Sequence, residues 1–114
     1  MADAPSCWDD LATSRGAFFH VFHTTPRTQV GTMTVASGQE AGPAEVHEDS
    51  DQVFLILEGE AEVKVWEQGE HAPPEHRKLR PGAVLVVPAG TRHWVKSVGA
   101  EPLLFFTVYG PPAY

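Results

Sequence analysis

Six consecutive residues, Gln52-Val53-Phe54-Leu55-Ile56-Leu57, constrain this chain more than any other stretch. They read as one nearly continuous apolar strand that stops at Gly59. Directly after it, Ala61-Glu62-Val63-Lys64-Val65-Trp66 alternates apolar and polar. Successive side chains of a strand point to opposite faces, so Ala61, Val63 and Val65 face a core and Glu62, Lys64 and Trp66 face out. A second apolar run, Ala83 to Val87, is followed by a tight turn at Pro88-Ala89-Gly90 and a return strand beginning near His93. With 10 glycines and 10 prolines among 114 residues, turns are frequent and strands short. An all-β domain follows.

The remaining segments fit that reading. Residues 1–16 are a polar N-terminal extension in which Asp9-Asp10-Leu11-Ala12 forms one helical turn held down by Trp8. Ala17–His23 and Gln29–Ala36 are the first two strands. Phe18 and Phe19 cannot both face inward. Glu67–Arg80 is a charged, proline-bearing excursion. Leu103–Tyr109 is the last strand, and residues 111–114 are a tail. The barrel therefore spans 17–110. No internal repeat or linker interrupts it.

Chemistry concentrates at Glu45-Val46-His47 and at His93. On a strand, Glu45 and His47 share a face ~6.5–7 Å apart, so a carboxylate oxygen and an imidazole nitrogen can aim at one point. Metal bonds of ~2.0–2.2 Å would close that geometry. Gln52 shares its face with Phe54 and Ile56, so a polar amide begins an inward apolar row, and a buried amide needs partners. The candidate metal set is Glu45, His47, Gln52 and His93. Gln52 either ligates directly or holds a metal-bound water. The metal-free alternative pairs Glu45 with a cation such as Arg92.

Gly82, Pro88, Gly90 and His93 carry without a gap a motif of the cupin superfamily: Gly, five residues, Pro-x-Gly, two residues, His. The family's other motif is Gly, His-x-His, three or four residues, Glu, six residues, Gly. This chain keeps Gly38, His47 and Gly59 in register, with Glu45 and Gln52 at the positions of the first His and the Glu. The resemblance covers roughly residues 28 to 109. It implies an antiparallel double-stranded β-helix, the cupin jelly-roll barrel, around one divalent metal. Glu-x-His with Asp51-Gln52, and Tyr109-Gly110-Pro111-Pro112 at the end, resemble small mannose-6-phosphate-isomerase-like cupins. Such isomerases use two His, one Glu and one Gln, the same four ligand types with Glu and Gln exchanged.

The function implied is binding or isomerisation of a small sugar, sugar phosphate or hydroxy acid. The cation would polarise a carbonyl and stabilise an enediolate. His20, His23 and Tyr109 are candidate proton carriers, since histidine titrates near neutral pH. His20 and His23, three apart, face opposite sides of a strand, which puts one of them at the pocket mouth. The metal is Zn, Mn, Fe or Ni, between which histidine and carboxylate do not choose. Two alternatives stand beside this one: a metal-dependent dioxygenase, and a non-catalytic small-molecule sensor.

Other motifs are weaker. His47-Glu48-x-x-Asp51 lacks the second histidine of the helical zinc motif. Asp49-Ser50-Asp51 lacks a calcium loop. His71 and His76 mark an exposed loop rather than a second metal site. A net charge of −7 and no basic stripe argue against nucleic acid. Cys7 is the only cysteine, which fits a reducing, cytoplasmic setting. The first residues lack a signal peptide's basic and apolar regions, and no apolar run approaches the ~20 residues that span a bilayer. Trp8, Phe18, Phe19 and Phe106 exceed what one small barrel buries, so a homodimer is expected.

Overall fold

The computed structural model describes residues 4–114. A single 3-10 turn, Leu11–Thr13, precedes eight strands: β1 His20–Thr24, β2 Gln29–Val35, β3 Asp51–Glu58, β4 Ala61–Val65, β5 Glu75–Leu79, β6 Val84–Val87, β7 His93–Ser97 and β8 Leu103–Gly110. All strand pairs are antiparallel. They make a five-stranded sheet, β1-β2-β8-β3-β6, and a three-stranded sheet, β5-β4-β7. One apolar cluster joins the two. Met33, Val35, Phe54, Ile56, Val87 and Phe105 come from the larger sheet, and Ala61, Val63, Val65 and Val95 from the smaller. This is the all-β domain that the alternation implies and the jelly roll that the cupin resemblance implies. Burying two facing sheets' inner residues supplies its main stabilisation.

Alternation in the sequence maps onto the packing. Along β4 and β7 every second residue is buried. On β3 the buried set is Gln52, Phe54 and Ile56, the row expected to face inward. Several expectations need correction. The Glu67–Arg80 excursion contains a strand, because β5 pairs with β4 from Ala61↔Leu79 to Val65↔Glu75. Its Glu75-His76-Arg77-Lys78 run shows no apolar period, and partner pairing overrides the local signal. Glu45 and His47 do not lie on a regular strand; only Glu45 pairs, in an isolated bridge to His93.

Trp8 does not pin the N-terminal turn. Trp8 is 93% exposed. Asp10 instead caps the turn, accepting from the Ala12 N–H at 2.9 Å. Beyond it the chain lies on the outer face of the larger sheet. Thr32 Oγ1 donates to Ser14 Oγ at 2.8 Å, and Thr34 N–H donates to the Ala17 carbonyl at 3.1 Å. That cover explains why the burial of β2 breaks strict alternation. Phe18 is exposed, while Phe19 packs against the core cluster. No helix among the described residues is long and apolar enough to cross a membrane.

Gly59 turns β3 into β4 with φ +79, in the left-handed region where glycine carries no Cβ penalty. A Cβ there would sit 2.5 Å from the Pro102 carbonyl oxygen and 2.9 Å from Leu103 Cα. Gly59→Ala is expected to lower unfolding stability by about 2–4 kcal/mol, from backbone strain plus overlap with unyielding main chain. Urea unfolding checks this, and an unchanged midpoint refutes the close approach.

Candidate metal centre

Two backbone hydrogen bonds assemble the site. Glu45 N–H donates to the His93 carbonyl and His93 N–H to the Glu45 carbonyl, both at 3.0 Å. The bridge sets the Glu45 segment against the first residue of β7. Two further contacts pin the loop between Glu45 and β3. Gly90 N–H donates to the His47 carbonyl at 2.9 Å, and Ala89 N–H donates to Asp51 Oδ1 at 2.9 Å. The Pro88-Ala89-Gly90 turn therefore holds both the loop that carries His47 and the strand that carries His93.

One ligand atom each from Glu45, His47 and His93 lies within 4.8 Å of the others. Glu45 Oε1 stands 3.7 Å from His47 Nε2. Two ligands sharing a metal at ~2.0–2.2 Å lie ~3–3.5 Å apart, so small side-chain movements close the set. His93 Nδ1 is 3.1 Å from the Thr91 carbonyl. A proton on Nδ1 donates there and leaves Nε2 free, the arrangement that orients a metal-binding imidazole. Burial pushes the His93 pKa down, against the opposing Thr91 hydrogen bond, and the neighbouring His47 adds to the lowering. The neutral, ligating form is favoured.

Gln52 is 3% exposed and lines the same cavity as Glu45, His93 and Tyr109. Its Nε2 donates to Thr107 Oγ1 at 3.0 Å and to Tyr109 Oη at 3.1 Å. Thr107 Oγ1 in turn donates to the Val53 carbonyl at 2.9 Å. The amide is thus oriented, and Oε1 is its free end.

The donor set fits a divalent ion for a specific reason. Three buried side-chain polar atoms among the described residues have no hydrogen-bond partner, and two of them are His47 Nε2 and Gln52 Oε1. Leaving such atoms unpaired costs about 1–3 kcal/mol each. A cation relieves an unpaired imidazole nitrogen, and a cation or a water relieves an unpaired amide oxygen. Glu45, His47 and His93 supply the mixed nitrogen and oxygen donors that first-row divalent metals accept. Arg92, the alternative partner for Glu45, goes elsewhere: it lies 3.9 Å from Glu70 and over the Trp66 ring.

The candidate proton carriers separate. Tyr109 lines the cavity, with its ring 5.3 Å from that of His47. Burial raises its pKa strongly, so the phenol stays protonated. His23 Nε2 is 2.8 Å from the Pro5 carbonyl, and His20 stacks edge-on against Phe22 at 5.0 Å. Neither histidine lines the cavity. The bulge between Val21 and His23 breaks the face assignment that simple alternation gives. Two residues carried no local signal in the sequence. Tyr114 Oη donates to Glu45 Oε1 at 3.3 Å, and Gln29 holds the Tyr114 backbone.

Comparison with known proteins agrees with the architecture. Residues 31–109 match the family described as the Cupin domain. The uncharacterized protein YrkC of Bacillus subtilis (strain 168) is 34% identical over 84 residues, covering 74% of this chain and 44% of that protein. The chain therefore spans less than half the length of that relative. The solved structure of BH2720 from Bacillus halodurans is similar with a TM-score of 0.86 and 26% identity, covering 100% of this chain and 89% of that one. TT1209 from Thermus thermophilus is similar with a TM-score of 0.74 and 29% identity, covering 93% and 98%.

Calorimetric titration of chelator-treated protein with Zn²⁺ or Co²⁺ is expected to show one site. Losing a ligand outright in His93→Ala should weaken it beyond the ~10–100-fold typical of outer partners. Equal affinities in wild type and variant refute the assignment. In metal-free protein, His93 also makes stability depend on pH. The unfolded chain takes its proton as pH falls through the ordinary 6.5, while the buried site takes it only lower. Stability is therefore complete above that value and drains as pH falls below it. Urea midpoints measured from about pH 7 to about pH 5 should fall, and His93→Gln should flatten part of the slope; an identical slope removes His93 as the cause.

Proposed function

Because the chain belongs to the cupin domain family, we propose that it is a metal-binding cupin that takes a small sugar, sugar phosphate or hydroxy acid at one divalent ion. Glu45, His47 and His93 hold the ion and Gln52 completes the set, directly or through a water. The observation that carries this reading is the pair of buried, unpartnered atoms, His47 Nε2 and Gln52 Oε1, beside the Glu45 and His93 donors. Two imidazoles, a carboxylate and an amide are also the ligand types that the resemblance to mannose-6-phosphate-isomerase-like cupins implies.

A bound divalent ion supplies Lewis-acid polarisation of a carbonyl oxygen. The chain's own groups set what can use it. Glu45 is the one carboxylate of the set, so the charge left over is positive and welcomes an oxyanion. Gln52 Nε2 is committed to Thr107 and Tyr109, which leaves the buried amide oxygen free to accept. Tyr109, kept protonated by burial, is a hydrogen-bond donor to a ligand oxygen and not a base.

The protonated state of Tyr109 favours a second reading, binding without turnover. The titratable side chains beside the ligand set are Tyr109 and Tyr114, and the pKa of each is raised, chiefly by burial. Isomerisation needs a group that removes a proton, and in this site that task would fall to Glu45 itself.

Cobalt-loaded protein tests both. Its visible absorption is expected to change on adding one member of a panel of aldoses, ketoses, uronates and sugar phosphates, and Glu45→Gln should abolish the change. A spectrum indifferent to the whole panel overturns the ligand class. Proton NMR of the mixture then separates isomerisation, which converts the added sugar, from binding, which leaves it intact.

A further inference from the structure

The small cavity beside the ligand set does not reach every member of it. The cavity lined by Glu45, Gln52, Phe54, His93, Phe105 and Tyr109 has a volume of about 20 Å³. That is room for one water or one ion, since a water needs at least ~10–15 Å³. Neither His47 nor Tyr114 lines it, so His47 is reached from another side, where the Tyr114 ring stands.

Tyr114 leans over the ligand set. Its ring meets those of Phe19 at 5.1 Å, Tyr109 at 5.3 Å and His47 at 5.6 Å, all edge-on. Its hydroxyl donates to Glu45 Oε1 at 3.3 Å. Beneath it, His47 Nε2 is buried with no partner. Yet Tyr114 itself is 60% exposed. Its outer surface already faces water, so what holds it closed is three edge-on ring contacts and one hydrogen bond.

The backbone below the ring is fastened separately. Gln29, 3% exposed, spends its side-chain amide there. Oε1 accepts from the Tyr114 N–H at 3.0 Å and the Ala113 N–H at 3.3 Å. Nε2 donates to the Tyr114 carbonyl at 2.8 Å and to Thr24 Oγ1 at 3.1 Å. Ser50 Oγ donates to the Pro112 carbonyl at 3.3 Å. A fastened backbone carrying a mostly exposed aromatic ring is the construction of a hinged cover.

We propose that Tyr114 is a cover over His47 that gates access to this member of the ligand set, with Gln29 as the anchor of its hinge. That His47 belongs to a ligand set rests on the functional reading above. The gate itself concerns access to His47 and is tested without metal or ligand.

The experiment is carbethoxylation of metal-free protein by diethyl pyrocarbonate, read at each histidine by peptide mass spectrometry. His71, with a 97% exposed side chain, is the internal reference. In wild type His47 should react far more slowly than His71. Tyr114→Ala, at a mostly exposed position outside any strand, should accelerate His47 about tenfold, the factor that ~1.4 kcal/mol of lost closure gives, with His71 unchanged. Tyr114→Phe keeps the ring and should stay near wild type. Gln29→Ala should accelerate His47 through the released anchor. His47 reacting at the wild-type rate in Tyr114→Ala overturns the gate. A failed metal titration with an accelerated His47 instead removes the metal reading and leaves the gate standing.

Discussion

The reciprocal backbone pair between Glu45 and His93 is the contact on which the site depends. Two hydrogen bonds of 3.0 Å join residues far apart in the chain, outside any regular strand of the first. Each bond is worth about 0.5–1.5 kcal/mol net, a small fraction of what the core contributes. Their importance is geometric. They decide that a carboxylate from an irregular segment and an imidazole from β7 face the same few cubic ångströms. The Pro88-Ala89-Gly90 turn then ties His47 and Asp51 to the same corner. Chemistry in this protein is thus positioned by main chain, and the jelly roll serves as the frame that brings those main-chain segments together.

Behind the ligands stands a buried polar relay. Gln52 donates to Thr107 and Tyr109, and Thr107 donates onward to the Val53 carbonyl. These partners lie on β3 and β8, which pair from Asp51↔Gly110 onward. Such a relay costs desolvation unless every member is paired. Here all are paired except one amide oxygen, Gln52 Oε1. A core built only for stability would place an apolar side chain at Gln52.

Legibility in the sequence followed the range of the interaction. Gln52, Phe54 and Ile56 share a face because strand alternation is a local rule, and that rule was readable. The Gly82-Pro88-Gly90-His93 spacing placed its turn and return strand because Pro and Gly act within a few residues. β5 was hidden, since Glu75-His76-Arg77-Lys78 has no apolar period and becomes a strand only by lying against β4. The N-terminal cover was hidden for a related reason: what seats it on the sheet is its bonding to the distant Thr32 and Thr34. Tyr114 and Gln29 were beyond reach, being 85 positions apart. His20 and His23 were misplaced by a single bulge.

The same charged run that concealed β5 has a further consequence. β5 is a free border of the smaller sheet, and an open border of unpaired main-chain groups is a template for stacking between molecules. Another border strand of the molecule, β6 in the larger sheet, offers exposed Val84 and Val86 instead. With Glu75, Arg77 and Lys78 along one margin and valines along the other, two copies meeting border to border at those margins would bury charge against hydrocarbon. Fibrous growth by repeated lateral addition is thereby discouraged at every collision of that kind, whatever the site inside is doing.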